Sequence, residues 1–308
     1  MFFTLLIKGF IIGISFTIPG CSGGTFAVYV GIYDQLLHAL GNIFKEFKKS
    51  MVFLIPVGIG LASGILLFSK LMALALEANS FITIMFFIGL TLGGVPNLFK
   101  NVKGKTATRS GIASFVIAFA IVIVMLVFQV LSGTNGIARF DIDFGTIALL
   151  FGLGFIAAIT MIIPGVSGSA LLMILGFYTA IVSNVVGNLL DFGNFWYNMA
   201  VVIPFGLGAV TGVILISKVL EAILRKFPVQ SYSAIIGFVV ASAAILVFWI
   251  RIPVTGVDFV DQLPIYLNLW GYLSANLWSV VIGFAALAIG LYTALQIVKF
   301  GAKQFAYI

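Results

Sequence analysis

Charge is scarce in this chain of 308 residues: Asp, Glu, Lys and Arg together make up 8%, against the ~25% of an ordinary soluble domain. A soluble enzyme and a nucleic-acid binder are excluded on that ground, because 62% of the residues are apolar. One cysteine, Cys21, leaves no intrachain disulfide, and one histidine, His38, leaves no His-rich zinc or haem site. Both are read as packing residues. Catalytic candidates are correspondingly few, so no enzyme activity, cofactor or metal is expected. What is abundant is apolar sequence. At ~20 residues per crossing of a ~30 Å hydrocarbon layer, the chain holds about eight to ten helical segments and no separate soluble domain.

Apolar runs, bounded by charges and Gly/Pro breaks, mark ten segments at 2–18, 25–43, 51–69, 80–98, 110–131, 146–163, 170–190, 197–217, 231–250 and 272–298. All are expected to be helices, the way a lipid-immersed chain of this composition satisfies its backbone. The net charge of +7 is topological. With a cytoplasmic N-terminus, Lys8, Lys45, Lys48, Lys49, Lys100, Lys103, Lys105, Arg109, Lys218, Arg225, Lys226, Lys299 and Lys303 fall on or near the inner side. Of the 16 basic residues only Lys70, Arg139 and Arg251 fall outside. Both termini are therefore expected in the cytoplasm, with Asp141, Asp143, Asp191, Asp258 and Asp261 outside. Ile18-Pro19-Gly20-Cys21 resembles a lipoprotein cleavage box, but the start lacks a basic n-region and the phrase recurs in mid-chain with Val166 in place of the cysteine.

That recurrence is the strongest signal. Ile18-Pro19-Gly20-Cys21-Ser22-Gly23-Gly24-Thr25, then Gly31-Ile32-Tyr33, matches Ile163-Pro164-Gly165-Val166-Ser167-Gly168-Ser169-Ala170, then Gly176-Phe177-Tyr178. The match resumes three residues out of step: Ile55-Pro56-Val57-Gly58-Ile59-Gly60 with Gly64 and Ser69-Lys70 pairs with Ile203-Pro204-Phe205-Gly206-Leu207-Gly208 with Gly212 and Ser217-Lys218. Gly89 falls on Gly237. An odd number of segments separates the copies, so they are expected upside down relative to each other, the architecture of secondary transporters. The chain then divides into a first inverted repeat at 1–109, a connecting helix and outer loop at 110–145, a second inverted repeat at 146–251, and an outer loop with a C-terminal helix at 252–308.

Within the repeated motif, proline removes a backbone donor and the glycines permit close approach, so the helix breaks. The following segment points its free N–H groups and positive dipole end at the break, beside the hydroxyls of Ser22 and Thr25 or Ser167 and Ser169. This is the chemistry of a phosphate or carboxylate cradle, with Gly20, Ser22, Gly23, Gly24, Thr25, Gly165, Ser167, Gly168 and Ser169 as its residues. Two arrangements fit: a re-entrant hairpin with its tip at mid-membrane, or two full crossings joined by a tight turn. The small, uncharged joining residues favour the hairpin. The bland reading is that small residues let helices pack closely.

Lys70 and Lys218 stand at matching positions at the ends of their segments, either as snorkelling anchors or as cations that draw an anionic headgroup to each mouth. Lys8 and Asp34 flank the first break, so a folded-back hairpin brings them to similar depth. Asp34 is the best candidate carboxylate for coupling to H⁺ or Na⁺, with Lys8 as its partner in a buried pair; an ordinary interfacial pair is the equal alternative.

Pro19-Gly20-x-Ser22-Gly23-Gly24-Thr25-x-Ala27 with Gly31-Ile32-Tyr33-Asp34, and the echo Pro164-Gly165-Val166-Ser167-Gly168-Ser169, resemble the prokaryotic polyprenyl-phosphate transporter family over essentially the whole chain. The resemblance implies a multi-pass plasma-membrane flippase that recycles undecaprenyl phosphate, the carrier lipid of cell-wall polymer synthesis, from outer to inner leaflet. An anion with a large apolar tail also suits two phosphate cradles in walls of little polarity. A transporter of a small soluble organic anion is the alternative; a membrane lipid phosphatase would want a histidine pair that a single His38 cannot supply.

Overall fold

The computed structural model describes residues 1–18, 22–100, 108–132, 139–166, 168–178, 180–181, 185, 192–252 and 262–303. Among these the chain is helical, with no strand. The helices are α1 (Phe2–Phe16), α2 (Gly23–Tyr29), α3 (Tyr33–Gly41), α4 (Phe47–Gly93), α5 (Val95–Lys100), α6 (Arg109–Ser132), α7 (Phe144–Ile162), α8 (Gly168–Ile174), α9 (Phe195–Lys226), α10 (Pro228–Leu246), α11 (Leu269–Ala275) and α12 (Leu277–Lys303). Six apolar stretches, including one that runs from Phe47 to Phe99, are long enough to cross a membrane. The chain is a multi-pass membrane protein.

Helix α4 has 47 residues, which at ~1.5 Å each is more than twice the ~30 Å hydrocarbon thickness. It folds back at Asn79, whose backbone is non-helical (φ −163°, ψ 98°). The Asn79 carboxamide accepts the Ile82 N–H at 3.0 Å and so caps the second arm. The expected segments 51–69 and 80–98 correspond to these two arms, but the first runs on well past Lys70. Likewise α9 continues past Lys218 to Lys226. Neither lysine ends its helix. The expected segment 25–43 is divided into α2 and α3 by a tight turn.

The internal match persists as local structure. Helices α2 and α8 correspond residue for residue, and both close with the same hydrogen bonds. Ile32 N donates to Ala27 O and Gly31 N to Val28 O; Phe177 N donates to Leu172 O and Gly176 N to Met173 O. This paired closure needs a left-handed residue, and Gly31 (φ +71°) and Gly176 (φ +78°) provide it. The first arm of α4 begins at Phe47 and breaks at Asn79, while α9 begins at Phe195 and stops at Phe227, the corresponding positions.

Close backbone packing repeats as well. Added Cβ atoms at Gly60 and Gly64 would run into the Leu6 and Phe10 carbonyls of α1, and at Gly208 and Gly212 into the Phe151 and Phe155 carbonyls of α7. The pair α1–α4 is thus built like the pair α7–α9. The helices that follow the two matching stretches cross over: α6 packs on α10, and α12 packs on α4. Helix α1 starts at the end of the molecule where α9 finishes, since Met1, Lys8, Glu221 and Arg225 border one cavity. Helix α7 starts at the other end of α9, where the Tyr197 hydroxyl accepts the Phe140 N–H at 2.8 Å.

Candidate functional site

The two Pro-Gly phrases meet. Ser22, at the start of α2, donates its hydroxyl to the Ile163 carbonyl at 3.3 Å, and Ile163 opens the second phrase. Tyr33, at the start of α3, donates its hydroxyl to the Ile162 carbonyl at 3.2 Å. Gly24 lies so close that a Cβ there would stand 2.7 Å from the Ile162 oxygen. Ser22, Gly23, Gly24 and Thr25 are all buried. The contact therefore forms a seam in which one copy's short helix covers the end of the other copy's long one. On the second copy, Gly165 has a left-handed backbone (φ +82°) and presses on Phe238 of α10. Gly168 is buried at the start of α8. In this conformation the seam is closed and the first-copy hydroxyl is used between the copies.

Beside the seam lies a cavity of about 920 Å³ between α1, α3, the start of α4, the end of α9 and the start of α10. Leu5, Ile32, Leu37, Phe53 and Leu224 give it apolar walls. Its mouth carries a network of charges: Glu46 to Lys49 at 3.4 Å, Glu221 to Arg225 at 2.7 Å, and His38 Nδ1 to Glu221 at 2.8 Å. Asn42 donates to the same Glu221 carboxylate at 3.4 Å. The network joins α3 to α9. Lys8 and Asp34 line the same cavity. Among the described residues no group of three or more His, Cys, Asp or Glu is placed to hold a metal ion.

A family profile described as VCA0040-like, undecaprenyl phosphate translocase-like, matches residues 12–258. The chain belongs to this undecaprenyl phosphate translocase-like family. It is 32% identical over 241 residues to a polyprenyl-phosphate transporter of Staphylococcus aureus, an alignment that covers 77% of this chain and 83% of that protein. A polyprenyl-phosphate transporter of Vibrio cholerae is 27% identical over 237 residues, 72% of this chain and 70% of the relative. No solved structure matches.

For this translocase-like chain the structure places the expected site residues in three groups. Ser22, Gly23, Gly24, Thr25, Gly165 and Gly168 are at or beside the seam; Ser169 lies in α8, and Gly20 and Ser167 lie outside the described residues. Lys8 and Asp34 come together around the cavity. Lys70 and Lys218 stand apart, exposed on the long helices, with the Lys218 stem against Gly41 at the end of α3.

His38 does not simply pack, as expected from the sequence: its side chain is 43% exposed and tied to Glu221. Sequence reasoning also missed Glu46, Glu221 and Tyr232 as neighbours of Lys8 and Asp34. The signal for them was their rarity, since a carboxylate in so apolar a chain needs a reason.

Proposed function

We propose that this chain carries polyprenyl phosphate between membrane leaflets, returning undecaprenyl phosphate from the outer to the inner leaflet of a prokaryotic plasma membrane for cell-wall polymer synthesis. The relatives named polyprenyl-phosphate transporters support the substrate. The observation that carries the mechanism is the seam, where two equivalent broken motifs from the two halves touch through Ser22 and Ile163. In our reading the halves are inverted repeats, 1–109 and 146–251, each beginning with a re-entrant hairpin. Support comes from α1 and α7 starting at opposite ends of α9. The helices in 110–145 and 252–308 brace the opposite half.

When the seam parts, the backbone donors of both motifs become a midplane station for the phosphate while the apolar tail stays in lipid. Lys70 and Lys218 draw headgroups to the two faces, and Asp34 beside Lys8 carries the coupling ion, H⁺ or Na⁺. No bond in the lipid is broken.

Proteoliposomes loaded with polyprenyl phosphate test this. An added phosphatase that reaches only the outer leaflet should hydrolyse the whole lipid pool when the protein is present and about half of it without, the two leaflets holding equal shares. Release of inorganic phosphate without the phosphatase would turn the reading to an enzyme. Protection of half the lipid, with efflux of a trapped soluble organic anion, would turn it to the soluble-anion alternative.

A further inference from the structure

Among the described residues the cavity has no chemical counterpart across the internal repeat. Lys8 is 4% exposed, the one charged side chain among the buried described residues. Its equivalent on α7 is Leu153. Gln35 corresponds to Ala180, Phe53 to Val201, and Tyr232 to Ile84, and these three counterparts are buried. On that side Phe140 stacks on Phe177 within a closed apolar cluster with Leu150, Leu153 and Val201. Among the described residues, packed hydrocarbon thus stands where the first copy of the internal match has a polar cavity.

The carboxylates of Glu46 and Glu221 are engaged at the mouth by Lys49, Arg225 and His38. Lys8, buried, and Asp34, exposed, line the same cavity, with the Tyr232 ring at its wall. A lysine buried in a membrane helix is costly unless it faces a polar cavity or a ligand. The cavity is of the size that takes a small molecule. Its apolar walls suit the first isoprene units of a lipid whose headgroup is an anion.

We propose that this cavity is a binding site for a phosphate monoester, with the Lys8 ammonium as the group that holds it, on the side of the molecule where α1 begins. The site rests on the transport reading for its lipid ligand, but free phosphate has the same chemistry. It makes the two ends of the carrier unequal, since the second copy has Leu153 where the first has Lys8.

The test uses the purified full chain in nanodiscs, with polyprenyl phosphate, polyprenol and inorganic phosphate as probes. Lys8→Gln should weaken polyprenyl phosphate binding by about tenfold, Lys8→Arg should restore it to within about threefold, and polyprenol should bind both alike. Displacement of the lipid by inorganic phosphate assigns the site to phosphate in general, and no displacement assigns it to the lipid headgroup. Undiminished lipid binding by Lys8→Gln, or an equal loss of polyprenol binding, overturns the site and leaves the transport reading standing. Lys8-dependent binding of inorganic phosphate with no lipid binding keeps the site and removes the transport reading.

A second measurement covers a Lys8→Gln chain that does not fold. Gln35→Cys, on the cavity wall and exposed, should react with a neutral maleimide beyond the labelling of native Cys21, and polyprenyl phosphate should slow that reaction where polyprenol does not. Equal rates with and without the phosphate lipid overturn the proposal.

Discussion

Gly24 and Ser22 are neighbours in the seam and hold it by different physics, so single substitutions separate them. Ser22 contributes one long hydroxyl bond, 3.3 Å to Ile163 O. Ser22→Ala is expected to cost ~1 kcal/mol and to slow transport only in part. Gly24 contributes absence of volume: a side chain there must displace the Ile162 carbonyl, which ends α7. Gly24→Val is expected to abolish transport in the proteoliposome assay while the purified chain shows a lowered Tm. Equal and mild effects would mean that the seam does not open on the transport path. At the exposed start of α7, Asp143 accepts the Thr146 N–H at 2.6 Å, and this bond holds its carboxyl below the usual carboxylate range. A native pKa below the unfolded one stabilises the fold above the unfolded value near ~3.9, and the contribution is lost as pH falls through the native value. Asparagine also caps helices, so Asp143→Asn isolates the charge. Its Tm should lie below wild type at pH 7, and the gap should close as pH falls through the lowered native value. A gap that persists in acid would assign the effect to shape and not to charge.

At the scale of elements, the duplicated helix pair gives its own controls. Gly60 in α4 and Gly208 in α9 each sit against a carbonyl of the neighbouring helix, Leu6 and Phe151, while Gly58 and Gly206, one turn face away, meet nothing within 4 Å. Valine at Gly60 or Gly208 should cost ~1–3 kcal/mol or more by forcing the pair apart, and valine at Gly58 or Gly206 should stay within ~0.5 kcal/mol. Thermal unfolding of the four variants checks this; a lowered Tm at Gly58 and Gly206 as well would assign the effect to helix propensity. The glycine phrases that produce these contacts were legible in the sequence because close approach demands the same residue at the same spacing twice. Helix ends were not legible. Charge at Lys70 and Lys218 was read as the end of each segment, yet Leu, Met, Ala, Glu and Lys in Leu71–Ala78 and Val219–Lys226 are strong helix formers and carry the helix onward. The charges only interrupt the apolar sequence, and the helices stop where Asn79 and Phe227 leave helical backbone. The turn between α2 and α3 was hidden for the opposite reason, since apolar residues on both sides of Gly31 made one continuous run.

For the whole molecule, the cavity could not be read from the sequence because its parts come from five helices far apart in the chain. Arg225 was read only as a basic residue on the inner side and Glu221 was missed, and their meeting with His38 needs the fold of α3 on α9. The same folding gives the orientation a direct test. The N-terminus, Lys49 and Arg225 border the cavity mouth, so the end that the positive-inside bias assigns to the cytoplasm is the end at which the cavity opens. The start of α7, with Arg139, Asp143 and Tyr197 near one another, belongs to the opposite end. A cysteine at Gln35 should therefore react with a membrane-impermeant maleimide in inside-out vesicles and not in whole cells stripped of their wall. A cysteine at Phe144, exposed at the start of α7, should do the reverse. Reaction of both from one face would place α1 and α7 in the same direction and end the inverted-repeat reading. Reaction of each from the face opposite to that expected would keep the inversion and reverse the whole chain, with its termini outside. The cavity would then receive headgroups from the outer leaflet, and a Lys8 substitution would slow loading there instead of release to the inner one.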